Sequence, residues 1–271
     1  MDSEPQARPA QRVAIWDRAA VTYGLVGPPF FAYFGRRLVS RTPLSPGAQV
    51  LDVATGRGAV LFPAAERVGP TGRVVGVDYA PAMVAATTAE IRAQGIGNAQ
   101  VQRMDAAQLE FAPATFDVVL CASALFFFPD LHTALAEFRR VLQPGGTLAV
   151  STWATRDPRW AWLEAMRPRT AAPAAGALFN TPAGMAGLLR DAGFRDVRTE
   201  VERKEFYYAD DAAWWATLWS HGPRLELEPL PQAALDAIQA RAAEHFPALR
   251  GPHGIPEQFT AIFTFGTKPP G

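Results

Sequence analysis

The sequence is short of cysteine, of charge of one sign and of long apolar runs, and each shortage excludes a class of protein. Cys121 is the single cysteine among 271 residues, so an intramolecular disulfide is impossible. The 26 basic and 26 acidic side chains balance without a long basic run, which disfavours nucleic acid and anionic membranes as partners. The longest apolar run, residues 118–129, is too short to span a bilayer, and residues 1–12 lack the apolar stretch of a signal peptide. We therefore expect a cytoplasmic protein.

Short apolar segments alternate with amphipathic segments in the middle of the chain. The apolar segments, which predict strands, cover residues 50–53, 74–77, 99–103, 116–121 and 147–153. The segments that predict helices cover residues 59–68, 81–94 and 131–142. Strands that alternate with helices form a parallel sheet buried on both faces.

The two ends of the chain are less regular. Residues 10–42 predict helices that are interrupted at Gly27-Pro28-Pro29. Further helices are predicted at residues 157–167, 181–192, 211–221 and 232–245, and further strands at 197–207 and 259–267. The length of the chain allows all of these elements to share one core.

The first chemical motif is a glycine-bearing turn after the first predicted strand. In VLDVATGRG, residues 50–58, Gly56 and Gly58 stand between a strand and a helix. Because glycine has no Cβ, the backbone can approach a ligand closely, and the helix N-terminus offers N–H groups to an anion. A glycine turn required only by packing is the alternative, since this motif is weak when it stands alone.

Two aspartates follow the next two strands. GRVVGVD, residues 72–78, places Asp78 at a strand end about 20 residues beyond the glycine turn, a spacing at which a carboxylate accepts both ribose hydroxyls. Asp105 follows the third strand, where a carboxylate can reach an adenine amino group or simply cap a turn.

Two later motifs narrow the choice of family. With FDVVLC at residues 116–121 and VLQPGG at residues 141–146, the set resembles the class I S-adenosylmethionine (SAM)-dependent methyltransferases, within them the ubiquinone-biosynthesis-like small-molecule branch. The resemblance covers residues 12–155 and departs at Ala54, where the family has glycine in D-x-G-x-G-x-G. A nicotinamide dehydrogenase would share the glycine turn and Asp78 but not the later motifs.

The resemblance implies an α/β fold, with a Rossmann-like, seven-stranded, mostly parallel sheet and an antiparallel last strand near residues 259–267. It implies three segments of one structural domain. These are an N-terminal helical cap segment at residues 1–42, a SAM-binding core at 43–155, and the remainder of the core with cap insertions at 156–271. The cap itself is expected from residues 10–42, 155–180 and 210–250.

The resemblance also implies which residues contact each part of SAM. Those expected at the methionine portion are Tyr23, Asp52, Ala54, Gly56 and Gly58. The residue expected at the ribose is Asp78. Those expected around the adenine are Tyr79, Met83, Asp105 and Ala106. Those whose backbone would face the sulfonium are Cys121 and Ala122.

Methyl transfer needs an acceptor aligned with the methyl group in a site that excludes water. Aromatic residues concentrate in the segments expected to form the cap. As a group they predict an apolar acceptor pocket, although any one of them could be ordinary core. We expect Phe127, Trp160 and Trp215 to contact the acceptor.

Charged residues near these aromatics predict a narrower class of acceptor. Glu164 would take a proton as the catalytic residue, and Arg159, Arg167, His221 and Arg224 would bind an anionic head group, unless they are ordinary surface charges. A prenyl diphosphate combines such a head with an apolar tail, and aromatic faces stabilise the carbocation that C-methylation creates. The cap loosely resembles that of bacterial geranyl diphosphate C-methyltransferases. A diphosphate would bring Mg²⁺, held mainly by phosphate oxygens and water because no metal-ligand cluster is visible.

Three alternatives stay open at this point. The same pocket would serve an O-methyltransferase of a phenolic or polyketide-like molecule. A SAM-binding cyclase or rearrangement catalyst would leave the cofactor unchanged. A non-catalytic binding protein would show a degraded cofactor site, whereas the two glycines and Asp78 and Asp105 are intact. We expect a small-molecule acceptor as the partner, and neither nucleic acid nor a membrane. The residues do not decide between monomer and homo-oligomer, or between C, O and N as the methylated atom.

Overall fold

The computed structural model describes residues 9–154, 156–166 and 178–270, through which one seven-stranded sheet runs. The strand order is β3-β2-β1-β4-β5-β7-β6; β1 to β5 are parallel, and β7 is antiparallel to both of its neighbours. The predicted Rossmann-like, mostly parallel sheet is confirmed. The strands are β1 (Gln49–Val53), β2 (Arg73–Asp78), β3 (Ala99–Arg103), β4 (Phe116–Ala122), β5 (Leu142–Trp153), β6 (Arg195–Tyr208) and β7 (Ile255–Thr267).

The helices begin at recognisable signals. Asp130, Thr181 and Asp210 each accept a hydrogen bond from a backbone N–H in the first turn of the helix that follows. None of the described helices is both long and apolar enough to cross a membrane. They are α1 (Pro9–Ala19), α2 (Phe30–Arg41), α3 (Leu61–Val68), α4 (Pro81–Ala93), α5 (Leu131–Val141), α6 (Ala161–Met166), α7 (Pro182–Asp191), α8 (Asp211–Ser220), α9 (Arg224–Leu227) and α10 (Gln232–Leu249).

The pleat of the strands divides the apolar side chains between two cores. In β1, Leu51 and Val53 face one core and Val50 faces the other. Helices α5 and α7 cover the first face of the sheet, and α2 and α3 cover the second. The central strands are buried on both faces, which explains their near-continuous apolar sequence. This packing holds the carboxyl ends of β1 to β4 at one edge of the sheet.

A third apolar cluster forms the centre of what we call the C-terminal cap, residues 156–166 and 211–249. Trp160, Trp214 and Phe246 lie in this cluster, with the rings of Trp214 and Phe246 4.9 Å apart. The indole N–H of Trp160 donates to the carbonyl oxygen of Pro256 at 3.1 Å. Tyr208, at the end of β6, packs into the same cluster. The C-terminal cap is therefore fastened to the end of β6 and the start of β7.

The turn after β1 forces a left-handed backbone on a residue that has a Cβ. Ala54 has φ 55° and Gly56 has φ 52°. A left-handed conformation costs an L-residue about 1–2 kcal/mol, whereas glycine adopts it freely. Glycine would adopt this conformation without strain. This explains why the family that the sequence resembles has glycine at this position.

Replacing Ala54 by glycine should raise the free energy of unfolding by about 0.5–1 kcal/mol. This is the relief of backbone strain less the extra entropy of glycine in the unfolded chain. Chemical denaturation measures the change. Ala89→Gly, at an exposed position of α4, is the matched control and should lower stability by about 0.5–1 kcal/mol. An equal loss at both positions would contradict strain at residue 54.

Candidate active site

Two cavities meet over the carboxyl ends of the strands. Cavity A, of about 330 Å³, lies over the ends of β1 to β4, and cavity B, of about 300 Å³, lies between α2, the C-terminal cap and β7. Trp16, Tyr23, Ser123, Phe127 and Leu225 line both cavities and form a shared wall. A smaller space of about 40 Å³, compartment C, is lined by the glycine turn together with Tyr23 and Ser123.

Most of the residues expected to bind SAM line cavity A or compartment C. Those that line cavity A are Tyr23, Ala54, Gly56, Asp78, Tyr79, Met83, Asp105, Ala106 and Ala122. Asp52 lines compartment C. Gly58 and Cys121 line neither space.

Gly58 and Cys121 have packing roles, and their expected contacts with the cofactor stay predictions. Gly58 has φ 79°, and a Cβ at this position would lie 2.5 Å from the ring of Phe62. Cys121 is fully buried in the core under α5, where burial raises the pKa of its thiol well above the ordinary value. At the end of β4 the cavity is lined by Ala122 and Ser123.

The carboxylate of Asp78 is fixed by two backbone N–H groups. Its Oδ2 accepts from Gly56 at 2.8 Å, and its Oδ1 accepts from Ala80 at 2.9 Å. Burial raises the pKa of Asp78, although these hydrogen bonds oppose the shift. A carboxylate has about four acceptor sites, so Asp78 can hold the glycine turn and still accept from ribose hydroxyls.

Asp52 is a second buried carboxylate, at the edge of compartment C. Its Oδ2 accepts a hydrogen bond from the hydroxyl of Thr55 at 2.6 Å. Burial is the main cause that raises the pKa of Asp52 to about 7, and the negative charge of Asp78 adds to the shift. A cationic group in compartment C would favour the ionised form of this carboxylate.

The residues that line cavity A and compartment C suit SAM in charge and in apolar character. Met83, 2 % exposed, and Tyr79 line cavity A and give the adenine apolar neighbours. The sulfonium and ammonium groups of SAM suit a site lined by buried carboxylates. Asp105 accepts from the backbone N–H of Ala107 at 2.9 Å, so it caps a turn and also faces the cavity.

Aromatic rings form most of the wall of cavity B. The rings are those of Trp16, Tyr23, Phe30, Phe31, Phe126, Phe127, Trp153, Tyr208, Trp214 and Phe259. His221, 9 % exposed, also lines this cavity, with its ring 5.3 Å from that of Phe30 and 5.6 Å from that of Phe31. Among the acceptor residues expected from the sequence, Phe127 and His221 line cavity B.

Two expected aromatic contacts belong to the core of the C-terminal cap instead. Trp160 is fully buried and bonded to Pro256, and Trp215 packs against the same cluster. Trp214, 1 % exposed, lines cavity B in their place. Its indole N–H makes no hydrogen bond within the described residues. Of the two adjacent tryptophans of α8, Trp214 is therefore the one that lines cavity B.

The expected charged residues do not converge on cavity B. The side chain of Glu164 is 48 % exposed, pairs with Arg156 at 2.6 Å and does not line the cavity, which corrects its assignment as the catalytic proton acceptor. Arg159 and Arg224 also lie outside the lining and pair with carboxylates near them in sequence. Arg167 lies outside the described residues.

The charged groups that do line cavity B do not suit a diphosphate. They are Arg156, Glu226 and Glu257, and Arg156 is itself paired with Glu164. Two carboxylates repel a polyanion. Within the ranges that the structure describes, no group of three or more His, Cys, Asp or Glu is placed to hold a metal ion. The expected anionic head group, and the Mg²⁺ tied to it, gain no support from this cavity.

Ser123 is a wall residue that sequence reasoning misses. It has φ 54°, and its N–H donates to the carbonyl oxygen of Ser151 at 2.8 Å. Strained backbone of this kind is found mainly at functional sites. The signal in the sequence is only its place directly after β4, since neither the left-handed conformation nor the contact with both cavities can be recognised from the residue type.

Three comparisons with known proteins bear on this site. A family model of the methyltransferase domain matches residues 50–146. The nocamycin O-methyltransferase of Saccharothrix syringae is 38 % identical over 248 residues, 84 % of this chain and 89 % of that protein. The aklanonic acid methyltransferase DauC of Streptomyces sp. (strain C5) is 39 % identical over 137 residues, 51 % of this chain and 62 % of that protein. The YcgJ protein of Bacillus subtilis shares the fold, with a TM-score of 0.63, 18 % identity, and coverage of 88 % of this chain and 100 % of that one.

Asp78→Ala should weaken the binding of S-adenosylhomocysteine (SAH) by ~1.5–3 kcal/mol, the value of hydrogen bonds to a charged acceptor. Isothermal calorimetry measures this change. Asp117→Ala is the matched control, because Asp117 accepts from the N–H of Gln49 at 2.8 Å but lines neither cavity. The control should bind SAH as the parent protein does. Unchanged affinity in Asp78→Ala would remove Asp78 from the ribose role.

SAH binding should release protons, because the pKa of Asp52 is about 7 in the free protein and the ammonium group expected beside it would lower that value. The raised pKa means that the stability contribution of Asp52 is present below its ordinary value of 3.8 and is lost as the pH rises through about 7. Because binding releases protons from Asp52, the affinity for SAH should rise with pH and level off above about 7.

Calorimetry in two buffers of different ionisation enthalpy counts the released protons. Asp52→Asn, which keeps the size of the side chain, should reduce that count. Proton uptake on binding, or an unchanged count in Asp52→Asn, would contradict the assignment.

Proposed function

The chain belongs to the class I SAM-dependent methyltransferases, and on that premise we propose that it transfers the methyl group of SAM to an oxygen atom of a largely apolar, polyketide-like small molecule. The observation that carries this proposal is the wall shared by cavities A and B, to which Tyr23, Ser123 and Phe127 contribute. Cavity A fits SAM. Cavity B, of about 300 Å³ and walled by aromatic rings, has the size and character of a site for a small organic molecule.

The chain's first contribution to the reaction is alignment and the exclusion of water. SAM, when bound, supplies a methyl group that is already activated for transfer. Two ring pairs stiffen the junction between the cavities: Trp16 and Phe127, with centroids 4.9 Å apart, and Tyr23 and Phe31, stacked at 4.8 Å. Rigid walls of this kind hold an acceptor in line with the methyl group and keep water out.

Two polar groups in cavity B favour oxygen as the methylated atom. The indole N–H of Trp214 is buried without a partner in the described part of the chain, and an oxygen of the acceptor would satisfy it. His221 is an imidazole in the same cavity and can take a proton from a hydroxyl group. We therefore assign His221 the role first given to Glu164. The nocamycin O-methyltransferase, to which this chain is similar, is also named for methyl transfer to oxygen.

C-methylation of a prenyl diphosphate is the weaker hypothesis, because cavity B has no surplus of cationic side chains among the described residues. In the favoured proposal, residues 43–155 bind SAM. Residues 1–42 contribute Trp16 and Tyr23 to the acceptor site, and the insertions within residues 156–271 contribute Trp214 and His221.

His221→Ala should lower kcat by about 100-fold or more, the usual effect of losing a general base, and leave SAH affinity unchanged. Glu164→Gln is the matched control. The exposed ion pair between Glu164 and Arg156 contributes little to stability, so turnover of this variant should stay within about twofold of the parent enzyme. The assay uses ¹³C-methyl-labelled SAM with a panel of phenolic and carboxylic polyketides and follows SAH and the labelled product.

The position of the label decides between the functions. An O-methyl signal in the carbon NMR spectrum of the product supports the proposal, and a C-methyl signal contradicts it. Conversion of the acceptor without SAH formation would identify a cyclase or rearrangement catalyst. Full activity in His221→Ala would contradict a proton-accepting role for the imidazole.

A further inference from the structure

We propose that Glu257 binds a hydroxyl group of the acceptor that is remote from the methylated oxygen, so that cavity B selects elongated acceptors with a second hydroxyl group. The inference deepens the proposed function and rests on it. Four residues that line cavity B carry the argument, and we call them the polar end: Arg156, Tyr208, Glu257 and Gln258. Tyr208 ends β6, and Glu257 and Gln258 lie near the start of β7.

Tyr208 orients the carboxylate of Glu257. The hydroxyl of Tyr208, a residue that is 2 % exposed, donates to Oε2 of Glu257 at 2.5 Å. Burial, and after it the negative charge of Glu257, raises the pKa of Tyr208 well above its ordinary value. The positive charge of Arg156 opposes this shift, so Arg156 acts on the same pair. Tyr208 therefore keeps its proton, and Glu257 is held in place as an ionised hydrogen-bond acceptor.

The register of the sheet places Glu257 far from the wall where methyl transfer is proposed. Ala122, which directly precedes the wall residue Ser123, pairs with Ser151, and Ser151 pairs with Phe263. Glu257 precedes Phe263 by six residues on β7, a distance of about 20 Å along an extended strand. A group bound at Glu257 is therefore remote from the oxygen that accepts the methyl group.

Aromatic rings lie between His221 and the polar end. The ring of Phe30 is 5.3 Å from that of His221 and is stacked on that of Phe259 at 4.4 Å. Glu257 lies two residues before Phe259, so both side chains are on the same face of β7. The apolar body of an acceptor would contact these rings, with one oxygen near His221 and a second near Glu257.

The charges of the polar end favour a neutral hydroxyl group as that second group. A carboxylate of the ligand would be repelled by Glu257, and an ammonium group would be repelled by Arg156. A hydroxyl group can donate to Glu257 and accept from the guanidinium of Arg156 or the amide of Gln258. Because a carboxylate offers about four acceptor sites, Glu257 can accept from Tyr208 and from a ligand together.

A purely structural role is the competing explanation, because the bond between Tyr208 and Glu257 ties the end of β6 to the start of β7. That role does not require either side chain to line a cavity. The adjacent pair on β6 illustrates the difference: Tyr207 donates to Glu205 at 2.7 Å, and neither residue lines cavity B. Glu205 therefore provides a matched control for Glu257.

Three biphenyls that differ at one position test the polar end: 4,4′-dihydroxybiphenyl, 4-hydroxybiphenyl and 4-hydroxy-4′-(aminomethyl)biphenyl. Calorimetry on the full chain saturated with SAH measures their affinities without turnover. The parent protein should bind the dihydroxy compound about 10- to 100-fold more tightly than the monohydroxy compound, the usual value of a hydrogen bond to a charged group. It should also bind the dihydroxy compound more tightly than the aminomethyl compound. No measurable preference for the second hydroxyl group, or tighter binding of the aminomethyl compound, would overturn the proposal.

Glu257→Gln keeps an acceptor for Tyr208 but removes the charge. It should reduce the preference for the dihydroxy compound to about threefold or less and leave the affinity for 4-hydroxybiphenyl unchanged. Tyr208→Phe keeps the ring in the cap and should also lower the preference, because the carboxylate loses the bond that orients it. Glu205→Gln should leave the preference at its parent value. Equal weakening of both hydroxybiphenyls by Glu257→Gln, or a preference that survives this substitution, would overturn the proposal in favour of the structural role.

The measurement involves no methyl transfer, so its failure is distinct from failure of the proposed function. An O-methylated product from an enzyme without the preference at Glu257 would contradict this inference alone. A C-methylated product from an enzyme that keeps the preference would contradict the proposed function alone.

Discussion

Two carboxylates are buried at the ends of neighbouring strands, and the rest of the site compensates for the cost of burying them. Asp52 lies in β1 and Asp78 ends β2, and burial raises the pKa of both. Hydrogen bonds from Gly56, Ala80 and Thr55 orient them without neutralising their charge. Burying these two carboxylates is unfavourable, and a ligand with cationic groups reduces the cost. The edge of the sheet that lowers the stability of the free protein is therefore also the edge that suits the cofactor.

The N-terminal segment contributes residues to the walls of both cavities and so connects them. Asp17 accepts from the backbone N–H of Ala82 at 2.9 Å, and Arg18 pairs with Glu228 just after α9. These contacts fasten α1 to α4 beside cavity A and to the C-terminal cap beside cavity B. Trp16 is thereby held in the wall that both cavities share.

The strands and most of the residues that line cavity A could be predicted because they depend on local patterns: an aspartate or a glycine turn lies within a few residues of the end of a strand. The acceptor site depends instead on which face of each cap helix meets the sheet. Trp214 and Trp215 are adjacent and equally aromatic, and only the packed cap distinguishes them. Glu164 is a plausible base by composition, but its pair with Arg156 holds it outside the cavity. Ser123 requires a backbone angle that its residue type disfavours.

In the proposed reaction, the methyl group crosses from cavity A to cavity B at the wall formed by Tyr23, Ser123 and Phe127. A crystal structure of the enzyme with SAH and its methylated product tests this path. We predict SAH in cavity A and the product in cavity B, with the sulfur roughly 3–4 Å from the transferred methyl carbon. A product bound outside cavity B, or a sulfur that points away from Ser123, would rule out methyl transfer at this wall.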